Sequence, residues 1–453
     1  MSSTAANTVH LSDPALPQHV SRTFPSLANR NFRLLLSGLL ISGTGGWIQR
    51  IAQDWLVLTL TDSPTAVGIT TACQFLPTLA FGLHSGLLAD RFPKRAILLT
   101  TQVAMSLTAG VLALLTLSGR IEVWHVFLLA GVLGVVTAVD NPVRQSFVSE
   151  VVEGPQLPNA ISLVSCTFQI GAMAGPVIGG VLMSTVGAGY AFAVNALTFV
   201  APVTALLLMR GTQRARSAPV RSKPAADAAE TLGAEPATPG IREGLHYALR
   251  TPTVLWPVVM VGAFGFFTIS LPVTLAAFAK DEFHSGASGL GLLNGVVAVG
   301  ALAGALTTAR RSKPLRLRTV GLAAWALASA MLLAAAAPNQ ISFTLLLVLV
   351  GAANLGFLTS AQSLVQLATA DHLRGRIVGL YMLVFIGSGA LGGPVVGLLA
   401  EHFGPRIGLL VSGVVPAVVT ILVCRHLAHA ASLRIGLTAF SVRVVRPSLL
   451  PRS

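Results

Sequence analysis

The chain is a succession of apolar runs, each about as long as a bilayer is thick, separated by short segments that carry most of its charge. A helix rises 1.5 Å per residue, so crossing the hydrocarbon takes about 20 residues. Runs of that length, broken by Gly, Pro or charge, predict twelve helices, over 34–58, 66–87, 96–118, 124–143, 160–184, 189–209, 253–277, 287–308, 318–337, 341–364, 376–400 and 406–427. The runs are continuous rather than alternating, which suits helices and not the period-two strands of a membrane barrel. The expected class is therefore an all-α membrane protein.

Composition agrees: 53% of residues are hydrophobic, 10% are charged and the mean hydropathy is +0.75, whereas soluble domains are roughly 25% charged. A net charge of +14 would suggest nucleic acid until the bases are placed. Twenty-six Lys and Arg fall on one side of the twelve-helix arrangement and three, Arg120, Lys280 and Arg406, on the other, with Arg50 inside the first helix. Because cytoplasmic loops hold the excess of bases, this pattern reflects orientation rather than a nucleic-acid partner, and it predicts cytoplasmic termini. Residues 1–30 lack the charged-then-apolar pattern of a cleaved signal.

The domain plan follows: a tail at 1–33, six helices over 34–209, a cytoplasmic linker at 210–251, six helices over 252–427 and a tail at 428–453. The linker is rich in Ala, Pro and basic residues and has too little apolar content to form a core. Its bases either obey the topology rule alone or also touch anionic headgroups.

The chemistry is sparse. Helix one carries Trp47, Gln49, Arg50, Gln53 and Asp54, and an Arg or Asp at mid-membrane costs about +2.5 to +3.5 kcal/mol, so such groups face a cavity or a partner. Arg50 and Asp54 are four apart and share a face. They either line a substrate path, with Asp54 near the outer interface, or bridge one another. Trp47, Trp55 and Phe75, with Phe81 and Phe264, are candidates for stacking on an apolar compound, or for facing lipid or anchoring at the interface. Asp54 and Asp140 are the carboxylates nearest membrane depth, followed by His84 and His125 as titratable groups. Cys73, Cys166 and Cys424 are too scattered for a metal site, and no P-loop, metal cluster or nucleophile constellation is visible. Neither enzymatic activity nor a bound cofactor is expected.

Two matches share one offset. "GLLADRFPKR" from Gly86 recurs as "GALTTARRSK" from Gly304, and "GPVIG" from Gly175 recurs as "GPVVG" from Gly393, each 218 residues later. A six-helix unit is thus duplicated, giving two pseudo-symmetric bundles. Gly171, Gly175 and Gly179 line one face of the fifth helix and Gly180 follows, while Pro176 removes a backbone hydrogen bond. Together they form a packing and hinge device, repeated at Gly393, Pro394 and Gly397.

At these residues the chain resembles the major facilitator superfamily. Gly86, Asp90, Arg91, Lys94 and Arg95 match its loop signature after helix two, and "GAMAGPVIGG" is similar to the fifth-helix signature of proton-linked antiporters. "RQSFVSEVVEGPQLPNA" and "RGRIVGLYMLVF" look like the branch that includes macrolide-efflux and siderophore-export proteins, although many members have an Arg where this chain has Ala172. The resemblance implies a cell-membrane carrier, monomeric, that exports a small organic compound by alternating access with the proton gradient as energy source. It also implies a cytoplasmic latch in which Asp140 pairs with the loop bases. Uptake of a metabolite by the same fold and a non-transporting sensor stand as alternatives.

Overall fold

The computed structural model describes residues 24–152, 154–210, 241–310, 316–370, 373–430, 434–438 and 441–445. For 82–91, 241–243, 309, 428–430 and the two strands, only the backbone is described. The linker 211–240, most of both tails and the side chains of Gly86, Asp90 and Arg91 therefore lie outside the described residues.

Twelve long helical spans occur among the described residues. The first bundle holds α1 (Arg30–Thr61), α2 (Pro64–Arg91), α3 (Lys94–Leu117), α4 (Val123–Val151), α5 (Leu157–Thr185) and α6 (Ala188–Leu208, interrupted at Phe199). The second holds α7 (Pro252–Glu282, ending in a π turn at Phe278–Glu282), α8 (Gly286–Ala309), α9 (Leu317–Ala335), α10 (Gln340–Ala368), α11 (Arg374–Phe403) and α12 (Pro405–Ala430). Ten of these, α3 to α12, are long and apolar enough to cross a membrane. α1 and α2 have 32 and 28 residues, but α1 carries the polar set around Arg50. A short helix, Ile241–Arg250, precedes α7. In the C-terminal tail, beyond the helical bundles, β1 (Arg434–Thr438) and β2 (Ser441–Val445) form an antiparallel hairpin.

Local chemistry sets the helix ends. The Asn29 side chain accepts from the backbone N–H groups of Asn31 (2.9 Å) and Phe32 (3.3 Å), satisfying two of the donors that a helix N-terminus leaves unpaired. Asn339 caps α10 by a reciprocal pair: its side chain accepts from the Ser342 N–H at 2.9 Å, and its own N–H donates to the Ser342 hydroxyl at 3.3 Å. Pro64, Pro252 and Pro405 open helices, where the missing N–H costs nothing. At the end away from the basic segments, the connections run from one residue (Gly404) to five (Ser118–Glu122), and Asp62 turns the chain in left-handed geometry at φ 56. Helices overrun the predicted spans: α4 continues to Val151 and α1 starts at Arg30, because polar turns at a membrane surface remain helical where water or capping groups serve the backbone.

The packing repeats between halves. In the first bundle α1 lies on α5, α2 on α4 and α3 on α6, and in the second α7 lies on α11, α8 on α10 and α9 on α12. The bundles meet through α2 against α11 and α5 against α8, so the second helix of each half meets the fifth of the other. Outward-facing leucines such as Leu107 and Leu114, 64% and 69% exposed, coat a surface suited to hydrocarbon.

Candidate functional site

The small residues of the fifth helices determine how closely neighbouring helices approach, and the two copies are used differently. Added Cβ atoms at Gly171 and Gly179 would lie 3.2 Å from the backbone of Gly43 and Ile48, and one at Gly175 would meet Trp47 and lie 2.9 Å from the Thr44 carbonyl oxygen. These three glycines seat α5 on α1 within one bundle. Gly180 turns the other way: its Cβ would lie 2.9 Å from the Ala287 carbonyl and 3.0 Å from Gly291 in α8. In α11, Gly393 abuts Gly68 and a Cβ on Gly397 would stand 2.6 Å from the Pro64 carbonyl, both in α2. At matched positions, Gly175 and Gly179 thus serve a seam within their own bundle, whereas Gly393 and Gly397 serve the seam between bundles.

Four side-chain hydrogen bonds cross between the bundles among the described residues, all at the end away from the basic segments. The Lys280 ammonium pairs with Asp62 and donates to the Leu58 carbonyl at 3.2 Å, capping the last turn of α1. The Glu401 carboxylate accepts from the Ser63 hydroxyl and, at 3.2 Å, from the Thr65 N–H. At the basic end the described polar bonds stay within one bundle. Lys94 meets Glu150 at 2.5 Å, and Arg95 donates to the Leu207 carbonyl at 3.1 Å. Asp140, fully buried, accepts from Thr101 (2.7 Å), Gln102 (2.9 Å) and Arg144. The described partners of Asp140 are therefore on α3 and on its own helix.

Between these two ends lies the polar segment of α1. Gln49 accepts from the Asn195 amide at 2.5 Å and joins α1 to α6. The Arg50 guanidinium carbon sits 5.2 Å from the Trp47 ring centroid and 5.3 Å from that of Phe75 on α2, within cation–π range. Trp47 meets Phe168 of α5 edge-on, with centroids 5.7 Å apart. Arg50 thus stands among α1, α2 and α5, and α2 and α5 are the two helices that carry the first bundle's contact with the second. Asp54 is 4% exposed, buried among its neighbours two turns before the end of α1 at Thr61. Among the described residues no hydrogen bond or ion pair joins Arg50 to Asp54, and the Gln53 amide nitrogen, buried, has no hydrogen-bond partner.

Sequence reasoning brought Trp47, Gln49, Arg50, Gln53, Asp54 and Phe75 to attention, and the fold gathers them on or beside α1. It missed Asp62, Ser63, Glu401 and the inter-bundle role of Lys280. The available signal was that Lys280 is one of three bases on the sparse side, where topology asks for none.

The chain matches, over residues 21–436, the family described as transmembrane secretion effector. It belongs to that family, within the major facilitator superfamily. A multidrug efflux pump, Tap of Mycolicibacterium fortuitum, is 27% identical over 384 residues, covering 82% of this chain and 89% of that protein. A staphyloferrin A transporter of Staphylococcus aureus is 28% identical over 156 residues, 34% of this chain and 39% of the other. Among solved structures, a bacterial homologue of the iron transporter ferroportin in an inward-facing state superposes with a TM-score of 0.65 at 17% identity, covering 87% of this chain and 98% of that one. A peptide transporter bound to sulfate reaches 0.68 at 12% identity, covering 91% and 98%. At these identities the likeness concerns the fold alone. This member of the family is a multi-pass membrane transporter and not an enzyme.

Proposed function

We propose that this transporter exports a small amphipathic organic compound, drug-like or siderophore-like, from the cytoplasm by alternating access, in exchange for protons. The carrying observation is geometric. The described side-chain bonds between the bundles lie at one end, while Arg50 and its aromatic neighbours stand further in. Two bundles latched at one end, with an Arg-centred site further in, fit a rocking carrier whose site faces the basic side. In our reading that side is cytoplasmic, all twelve helices cross the cell membrane, both termini are inside and one chain suffices. Export, rather than uptake, is supported by the likeness to Tap along most of both chains. Proton exchange is supported by the fifth-helix segment from Gly171 to Gly180, which resembles that of proton-linked antiporters.

Reconstituted protein and a panel of organic compounds provide the test. A pH gradient, acid on the side opposite the basic loops, is expected to drive compounds out of the basic-loop compartment, and collapsing the gradient should abolish that drive. Transport indifferent to the gradient would remove the antiport, and movement only in the opposite direction would remove export.

A further inference from the structure

The guanidinium of Arg50 stays charged under all physiological conditions and presents five N–H donors in a rigid fork. Its described surroundings do not satisfy that fork. Two aromatic faces flank it, and no described carboxylate or carbonyl takes a hydrogen bond from it. Gln53, one turn along, adds a buried amide nitrogen that also lacks an acceptor. Asp54 is the acid on this face, and it is not joined to Arg50 by an ion pair.

The site is also reachable. Gly46 lies one turn before Arg50 on the same face, towards the basic end. It is exposed, and no atom stands within 4 Å of where its Cβ would be, as is also true of Gly43. Among the described residues, nothing fills the space beside α1 at Gly46 and Gly43, from Arg50 towards the basic end, while the Asp62–Lys280 and Glu401 bonds hold the bundles together beyond it.

We infer that this place binds an organic anion: Arg50 grips a carboxylate, or an oxyanion of like shape, through paired N–H bonds, and the apolar body of the compound lies against Trp47 and Phe75. The inference rests on the export reading above and gives its substrate class. A lipophilic cation would sit beside a permanent positive charge that Asp54 at best cancels, and so would gain no net attraction. A neutral compound would leave the fork as unsatisfied as it found it. An anion supplies what is missing, because charge-assisted bidentate bonds are the strong ones and their strength grows away from water. Asp54 is then the internal rival of the substrate for Arg50. A proton on Asp54 favours an anion's binding instead of opposing it, so the mutual exclusion that proton exchange needs arises at another group. The inside-negative membrane potential also pushes the anion outward.

The experiment uses the full chain in proteoliposomes and three matched probes, naphthylacetate, its neutral amide naphthylacetamide and the cationic naphthylethylamine. The expected result is movement of the acid over the amide by about tenfold or more, a preference that Arg50→Gln erases and Arg50→Lys, keeping charge but not the fork, only partly retains. Asp54→Asn is expected to tighten the acid's apparent affinity by removing its rival. Preference for the amine, or an acid-to-amide ratio unchanged by Arg50→Gln, overturns the anion site and leaves export standing. If none of the three moves while another compound of the panel is exported, the anion site is overturned and export stands.

Discussion

A glycine in a membrane helix is often no more than a convenient small residue, but Gly175 is placed where nothing larger fits. Its missing side chain lets the Trp47 Cβ and the Thr44 carbonyl of α1 come against α5, and overpacking such a contact costs about 1–3 kcal/mol. Gly175→Leu is expected to insert normally yet lose transport and show a lowered unfolding temperature, measured by flux and thermal denaturation of the purified protein. Gly110, whose Cβ would meet nothing within 4 Å, supplies the control, and Gly110→Ala should change neither quantity. Sequence spacing identified the glycine face but not which helix it received, since a small residue does not name its neighbour. Arg50 was legible for a different reason: a charge inside an apolar run is costly enough to require a purpose. That Phe75 would be one of its partners depended on the rotation of α2 and was not readable from the chain.

Among elements, the π turn that ends α7 and the two-residue link between α1 and α2 form the closure between bundles. Lys280 reaches from the first to Asp62 in the second, and Glu401, near the end of α11, reaches Ser63 and Thr65. The Asp62 carboxylate is 85% exposed, and exposed ion pairs contribute about 0–1 kcal/mol. A bond of that strength biases an equilibrium without locking it, as a carrier that must reopen requires. Asp62→Lys or Lys280→Asp alone should raise the reactivity of a cysteine placed at Gly46 toward reagent added from the outer side. The double exchange should return it toward wild type, and failure of the exchange to restore it would show that the pair does not govern closure. Helix existence and order were readable from run length, whereas helix ends were not. Polar turns past the hydrocarbon, such as Asn141 to Glu150 in α4, remain helical through bonds like those of Asp140 and Lys94 that hydropathy does not register.

For the whole molecule, the orientation of the bundles is a statement about where the bases lie, and it is open to direct measurement. Cysteines introduced at Ser118 and at Arg210 should be labelled from opposite sides of intact cells by an impermeant thiol reagent, Ser118 from outside. Labelling of both from one side would require an even number of crossings between them, where the plan has three, and dismantle the two-bundle plan. The duplication was visible because two motif pairs share one offset, and the fold honours it in the exchange of second and fifth helices across the interface. The unequal use of the two Gly-Pro elements left no trace in the motifs themselves, since identical glycines accept different neighbours once the halves have diverged around them. The brevity of the turns at the latched end has a practical corollary. With one to five residues joining each pair of helices there, an antibody or a protease arriving at that face would find almost nothing to grasp, and a reagent meant to recognise the carrier from that side will have to be raised against the mouth it shows when it opens.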